Sequence, residues 1–245
     1  MAKNPYELIT DGAQAYLDVR PGYPDELVAA LDIYQGVKVA DIGAGTGKLT
    51  AQICSRTAQV WAVEPSAEME SAFFQALPDF PRSRFVSARA ENTGFSRREF
   101  DIVSYGQCWH WLDAPAASRE AARILRANGK IAIFCNQLNV SIPWVLQLTR
   151  IMRSGDIQKI SKPPQLTRDF GKLQLNSVDW TDYLSVREVM LLGTTRASWI
   201  KSNPEDRARM QDNLRWYLCD ELGYGEAEKV PLPYQTYLWL AEKKY

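Results

Sequence analysis

The residues with the clearest chemical meaning lie between Asp41 and Gly47, in the segment DIGAGTG. This segment follows an apolar run typical of a strand and precedes a helical pattern, which is the context that a ligand-binding turn requires. Glycine allows a sharp backbone turn, and the absence of a Cβ lets a ligand approach the main chain. The three alternating glycines therefore predict a ligand crevice at the carboxyl end of a strand.

Two common nucleotide-binding motifs fit this segment poorly. A P-loop requires Ser or Thr after its lysine, whereas Leu49 follows Lys48 here. A dinucleotide fingerprint requires a third glycine at the position that Lys48 occupies. The next apolar run ends at Glu64, whose carboxylate can accept hydrogen bonds from both hydroxyls of a ribose. Ribose recognition fits both NAD and an adenosyl sulfonium compound, so both cofactors stay open at this point.

Composition limits the remaining function classes. The chain has a single histidine, His110, and four cysteines without CxxC spacing, so no metal site is expected. Lys and Arg total 29 and Asp and Glu total 29, and this neutral balance argues against a nucleic-acid partner. No apolar run has the length of a signal peptide core or a membrane helix. We expect a cytoplasmic protein without a membrane partner. The oligomeric state cannot be read from the sequence.

The elements that position these residues alternate along the chain. Apolar runs predict strands at residues 37–42, 59–63, 84–87, 100–105 and 130–135, and helical patterns cover residues 49–56, 67–77 and 116–126. Alternation of this kind produces right-handed βαβ units. The expected fold is therefore α/β, with a doubly wound, mostly parallel sheet and helices on both faces.

The flanking segments are expected to complete one domain, 1–245. Residues 1–35 form an N-terminal helical cap, with helices at 4–14 and 25–31, and residues 36–135 form a cofactor-binding core. Residues 136–245 form a substrate-specificity region, with an exposed loop or lid at 161–175 and a last strand at 236–241. A long helix is predicted at 203–222, with Asn203 as its N-cap, Pro204 at its first position and Gly223 at its end.

The order and spacing of these motifs resemble class I S-adenosylmethionine-dependent methyltransferases. Residues 41–47 are similar to the family's motif I, written loosely D/E-x-G-x-G-x-G. Residues 64–69 resemble its acidic residue and following helix start, and residues 90–91 resemble the short motif after its third strand. Residues 100–103 and 122–130 are similar to its fourth strand and the approach to its fifth. The resemblance implies a seven-stranded sheet with an antiparallel last strand.

Two further segments resemble a narrower group. YLDVRPGYP at residues 16–24 is similar to a Y-x-x-x-R-P-x-Y-P motif, and QCWHWLD at 107–113 is similar to Q-x-x-H-W-F-D, with Leu112 in place of the aromatic residue. Together they resemble the group that includes trans-aconitate methyltransferases. The match is good over residues 12–135 and holds only in outline beyond them.

The resemblance implies a role for each matching residue. Arg20 pairs with the cofactor carboxylate, Glu64 holds the ribose, Met69 covers one adenine face, and residues 90–91 line the adenine amino edge. The full set expected to bind S-adenosylmethionine is Arg20, Gly43, Ala44, Gly45, Gly47, Glu64, Pro65, Met69, Ala90, Glu91 and Gln107.

The methyl acceptor is expected to be a small molecule, and the family resemblance favours an organic acid methylated on oxygen. Its predicted site residues are Tyr16, Trp109, His110, Trp111 and Arg196. His110 can act as a general base for a hydroxyl or amine acceptor, whereas a carboxylate acceptor needs no base. Two alternatives stay open: a methyltransferase-like binding or partner protein without turnover, and an NAD-dependent oxidoreductase.

Overall fold

A computed structural model describes residues 13–154 and 161–244. Their strands form one seven-stranded sheet in the order β3-β2-β1-β4-β5-β7-β6. Its strands are β1 Val39–Ile42, β2 Val60–Val63, β3 Phe85–Val86, β4 Phe100–Gly106, β5 Leu125–Leu138, β6 Gln174–Ser185 and β7 Lys229–Glu242. The first five strands are parallel, and β7 runs antiparallel to both of its neighbours. The expected fold class is therefore confirmed, including the antiparallel last strand.

Helices cover both faces of this sheet. They are α1 Ala13–Val19, α2 Asp25–Ala29, α3 Lys48–Cys54, α4 Ala67–Ala76, α5 Ala114–Ile124, α6 Pro143–Ile151, α7 Val186–Thr194, α8 Ala197–Lys201 and α9 Pro204–Trp216. Successive residues of one strand enter different cores: Val39 packs with α2 and α3, whereas Ala40 packs with α5. This alternation explains why the strands are apolar throughout.

A third apolar core lies under the C-terminal helices. It joins α6, α7 and α9 to the ends of β5 and β7. The long C-terminal helix begins as predicted, because Asn203 Oδ1 accepts the backbone N–H of Asp206 at 2.8 Å. It continues through a π-helical turn, Tyr217–Glu221, and ends before Gly223, whose φ is +78°.

The structure corrects several predicted boundaries. The helix predicted at 116–126 covers 114–124, and the strand predicted at 130–135 extends from 125 to 138. Strand β6 was not predicted, because it is an edge strand that buries only one residue fully and lacks a clear apolar alternation. Of the helix predicted at 4–14, residues 4–12 lie outside the described ranges, and residues 13–14 belong to α1.

The segment predicted as an exposed loop or lid is a loop up to Leu173, but it does not cover the glycine turn. Phe170 is buried in the core beside α5, and Thr167 N–H donates to Ser118 Oγ at 2.8 Å. Gly171 N–H donates to the carbonyl of Glu242, near the start of the ladder between β5 and β7. The described part of this loop therefore lies toward the amino ends of the parallel strands, away from Gly43.

No helix in the described ranges combines the length and the apolar character needed to cross a lipid bilayer.

Candidate functional site

The sheet order reverses at β1, which has β2 on one side and β4 on the other. A crevice is expected at the carboxyl ends of such strands. A cleft of about 840 Å³ opens at this point and adjoins a second space of about 580 Å³. Both are lined by Tyr16, Arg20, Gly43, Gly45, Gly106, Gln107, Asn136 and Arg196.

The two spaces differ in their remaining walls, and we name them by one residue each. The Glu64 half adds Glu64, Met69, Cys108, His110, Trp111, Gln137, Leu138, Thr149 and Ser154. The Lys48 half adds Pro21, Tyr23, Asp41, Ala44, Thr46, Lys48, Leu49 and Tyr234. Most of the predicted cofactor and acceptor residues thus line one continuous cleft, whereas Gly47, Pro65, Ala90, Glu91 and Trp109 are not among its lining residues.

The three glycines of the turn have positive φ angles but serve different purposes. A Cβ on Gly43 would lie 2.7 Å from Cys108 Sγ, so this glycine makes room for the 107–113 segment. A Cβ on Gly47 would lie 2.8 Å from Leu77 and 2.9 Å from Phe73, so it makes room for α4. Of the three, only Gly45 has no atom within 4 Å of such a Cβ, and Gly45 lines the cleft. Gly47 was expected to bind the cofactor, but it is not among the residues that line the cleft, and tight packing against α4 explains this glycine.

Glu64 is held in place by backbone donors. Its Oε2 accepts the N–H of Gly45 at 3.0 Å, and its Oε1 accepts the N–H of Ser66 at 3.0 Å. The side chain is buried at the wall of the cleft. Carboxylate oxygens accept hydrogen bonds from hydroxyl groups, so a carboxylate fixed at this wall is suited to bind a pair of adjacent hydroxyls.

Asp41 is the second carboxylate of the turn and has a different environment. Its oxygens accept hydrogen bonds from Thr50 Oγ1 at 2.6 Å and Ser104 Oγ at 2.9 Å. Burial raises the pKa of this carboxyl to about 6, although the two hydroxyl donors act in the opposite direction. Asp41 therefore ties β1 to α3 and β4.

Two guanidinium groups reach the cleft from distant parts of the chain. Arg20, between α1 and α2, donates from Nε to Thr195 Oγ1 at 2.8 Å and from Nη2 to the Thr195 carbonyl at 2.9 Å. Its guanidinium also lies 5.1 Å from the ring centre of Tyr16. Arg196, which follows Thr195 in the chain, is buried and lines both halves of the cleft. Two cations at one cleft favour an anionic ligand.

Polar residues at the ends of β4 and β5 connect these walls. Gln107, with φ +60°, donates from Nε2 to the Asn136 carbonyl at 2.5 Å. Asn136 donates from Nδ2 to the Gly22 carbonyl and accepts from Thr236 Oγ1, both at 2.7 Å. Sequence reasoning missed Asn136, although an amide that ends a buried apolar run was a usable signal.

Some side chains of the 107–113 segment line the cleft, and others are buried in the core. His110 and Trp111 line the Glu64 half, with ring centres 4.7 Å apart. Trp109 was expected at the mouth, but it is buried against Tyr105 with ring centres 4.9 Å apart. The short 3₁₀ turn Trp109–Trp111 explains this correction, because it turns its first side chain inward and the other two toward the cleft.

Three other predicted residues are not among those that line the cleft. Ala90 is buried in the core beside α5, and Glu91 accepts the backbone N–H of Asp113 at 3.0 Å. Pro65 lies between Glu64 and the N-cap Ser66, which accepts the N–H of Met69 at 3.3 Å. Their contacts with the cofactor stay a prediction.

No group of three or more His, Cys, Asp or Glu side chains within residues 13–154 and 161–244 is arranged to hold a metal ion.

Comparison with known proteins gives consistent matches. The family described as "Methyltransferase domain" matches residues 40–133. An uncharacterized methyltransferase of Mycobacterium bovis is 32% identical over 223 residues, which cover 91% of this chain and 90% of the relative.

Two solved structures share the fold. The YcgJ protein of Bacillus subtilis is 17% identical with a TM-score of 0.55, covering 89% of this chain and 98% of that one. The Haemonchus contortus phosphoethanolamine N-methyltransferase 2, solved in complex with S-adenosyl-L-methionine, is 15% identical with a TM-score of 0.55. The match covers 98% of this chain and 57% of that chain.

Proposed function

The chain belongs to the class I S-adenosylmethionine-dependent methyltransferases, and from this premise we propose that it methylates a small organic acid on oxygen. One observation carries the proposal. The cleft that contains Gly45 and Glu64 also contains His110, Trp111 and the buried Arg196. We place the chain in the group that includes trans-aconitate methyltransferases, because residues 16–24 and 107–113 resemble that group's motifs.

The cofactor, S-adenosylmethionine, fits the residues of the cleft. Gly45 leaves open space where any larger residue would place a Cβ, and the carboxylate of Glu64 is fixed beside it. Glu64 would hold the ribose, Met69 would cover the adenine, and Arg20 would pair with the amino-acid carboxylate. When bound, the cofactor would supply a methyl group on a positively charged sulfur, and S-adenosylhomocysteine would be the leaving group as the acceptor oxygen bonds to the methyl carbon.

Arg196 would hold the acceptor by its carboxylate. Its guanidinium is buried, so an ion pair formed there is screened less by solvent than one on the surface. Guanidinium and carboxylate match in a bidentate geometry, which fixes the direction of the reacting oxygen. Orientation of this kind is the main contribution that the protein makes to a displacement reaction.

His110 has a role that depends on the acceptor. A carboxylate is already ionised at neutral pH and needs no base, so His110 and Trp111 would orient it at the mouth of the Glu64 half. A hydroxyl or amine acceptor must lose a proton, and His110 is the base available at that wall.

The test is a product-detected methylation screen over mono-, di- and tricarboxylic acids, phenols and amines. We expect Arg196→Gln to lower kcat/KM for an acid roughly 10- to 100-fold while binding of S-adenosylhomocysteine is kept. Arg187→Gln, which removes an exposed arginine of α7, is the matched control. His110→Gln should change the rate with an acid by less than about tenfold.

Several outcomes would contradict the proposal. Transfer to phenols or amines only, with a large loss in His110→Gln, would replace the organic acid by a neutral acceptor. Binding of S-adenosylhomocysteine without turnover on any acceptor class would favour a binding protein.

A further inference from the structure

The side chain of Tyr234 on β7 has a buried hydroxyl that the described residues do not explain. The residue is 3% exposed, and its ring stacks on Trp180 with centres 5.1 Å apart and planes 21° apart. Within the described ranges, its hydroxyl oxygen has no hydrogen-bond partner. Because an unsatisfied buried hydroxyl costs free energy, such a group in a native fold calls for a ligand or another specific reason.

The charges around this hydroxyl favour an anion. Burial raises the pKa of the Tyr234 phenol, and the charges of Arg196 and Arg20 act in the opposite direction. The Asp182 carboxylate raises the pKa of this phenol further. The phenol is therefore protonated at neutral pH and can donate a hydrogen bond beside two guanidinium groups.

The position of Tyr234 within the cleft indicates which anionic group it binds. Tyr234 lines the Lys48 half together with Ala44 and Thr46 of the glycine turn. It does not line the Glu64 half, where His110 and Trp111 lie. Thr46 brings a second buried hydroxyl without a hydrogen-bond partner among the described residues to the same half. The Lys48 half is thus equipped with donors next to the glycine turn.

We propose that Tyr234 donates its hydroxyl to the amino-acid carboxylate of the cofactor, alongside Arg20. This inference rests on the proposed function, because it requires S-adenosylmethionine in the cleft. Under this assignment the cofactor carboxylate is bound by Arg20 and Tyr234, and Arg196, which lines both halves, binds the acceptor. Tyr234 is a positioning residue for the cofactor and takes part in no proton transfer.

The test compares two probes by calorimetry on the full chain. S-adenosylhomocysteine carries the amino-acid carboxylate, whereas methylthioadenosine keeps the adenosine and the thioether sulfur and lacks that carboxylate. Tyr234→Phe preserves the ring that stacks on Trp180 and removes only the hydroxyl. We expect it to weaken binding of S-adenosylhomocysteine about tenfold and to leave binding of methylthioadenosine unchanged.

Tyr105→Phe is the matched control. Tyr105 is also a buried phenol whose hydroxyl has no partner among the described residues, but it packs against Trp109 and is not among the residues that line either half. It should leave both affinities unchanged. Unfolding temperatures of both variants show whether each is folded.

Each other outcome overturns the inference. Equal loss with both probes in Tyr234→Phe would mean a structural role, and no loss with either would mean that the hydroxyl serves another ligand. If the wild-type chain binds methylthioadenosine but not S-adenosylhomocysteine, the carboxylate site is wrong while the nucleoside site stands. If it binds neither probe, the proposed function itself fails.

Discussion

At the residue scale, the glycine turn is flanked by two carboxylates whose surroundings give them different roles. Glu64 accepts two backbone N–H groups and faces the cleft, whereas Asp41 is 1% exposed and accepts two hydroxyl groups. Glu64 is therefore suited to a ligand, and Asp41 to holding β1, β4 and α3 together.

Asp41→Asn tests this structural role through pH. Because its pKa is raised from 3.8 to about 6 on folding, Asp41 contributes stability at low pH that is lost as the pH rises through 6. Asp41→Asn has no titrating carboxyl at this position and therefore lacks this pH-dependent loss of stability. Relative to wild type, its free energy of unfolding should increase by up to about 3 kcal/mol between pH 4 and pH 7, measured by urea unfolding. Asp79→Asn, at an exposed site, controls for the change of charge. A difference that does not vary with pH would contradict the assignment.

At the element scale, the turn between β1 and α3 separates binding from packing. Gly45 and Gly47 both have positive φ, but only Gly47 is closed in by side chains of α4 and its following turn. Gly45 instead lines the cleft that we propose to hold the cofactor, and a Cβ there would meet no atom within 4 Å. Replacing Gly45 and replacing Gly47 by the same larger residue should therefore have different consequences.

Gly45→Ala and Gly47→Ala form a matched pair. Both carry a backbone cost of about 1–2 kcal/mol for a positive φ. Gly47→Ala should lose a further 1–3 kcal/mol of stability because Phe73 and Leu77 must move. Gly45→Ala should avoid that further loss of stability and should weaken binding of S-adenosylhomocysteine more than tenfold. Urea unfolding and calorimetry measure the two effects, and the reverse pattern would show that Gly47 is the residue that meets the ligand.

At the scale of the whole molecule, the cleft depends on segments that are far apart in the chain. Arg20 is fixed by Thr195, 175 residues later, and Asn136 is bonded to Gly22, 114 residues earlier. A ligand in the cleft contacts several of these segments at once. Its binding should therefore stabilise the folded chain as one unit.

This linkage predicts a ligand-dependent unfolding temperature. S-adenosylhomocysteine at 100 times its Kd should add roughly 2.7 kcal/mol, or about 5–10 °C for a chain of this size. NAD at the same concentration should add nothing, and Glu64→Ala should abolish the shift. A shift with NAD alone would instead support the oxidoreductase alternative.

The sequence by itself determined the turn, its neighbouring carboxylate and the five parallel strands. Apolar runs, glycine spacing and the capping residues Asn203 and Gly223 are local signals, and local signals can be read one segment at a time. The proximity of Gly45 and Glu64 was predictable for the same reason, since these residues follow the adjacent strands β1 and β2.

Only the tertiary structure decided which side chains face the cleft. Trp109 lies in the core, whereas His110 and Trp111 do not. Which side chain is buried depends on the 3₁₀ turn that these three residues form and on the space beside Tyr105. The exposed edge strand β6 carries too little apolar alternation to be recognised. The positions of Arg20 and Tyr234 depend on packing between distant segments, and neither composition nor periodicity encodes that packing locally.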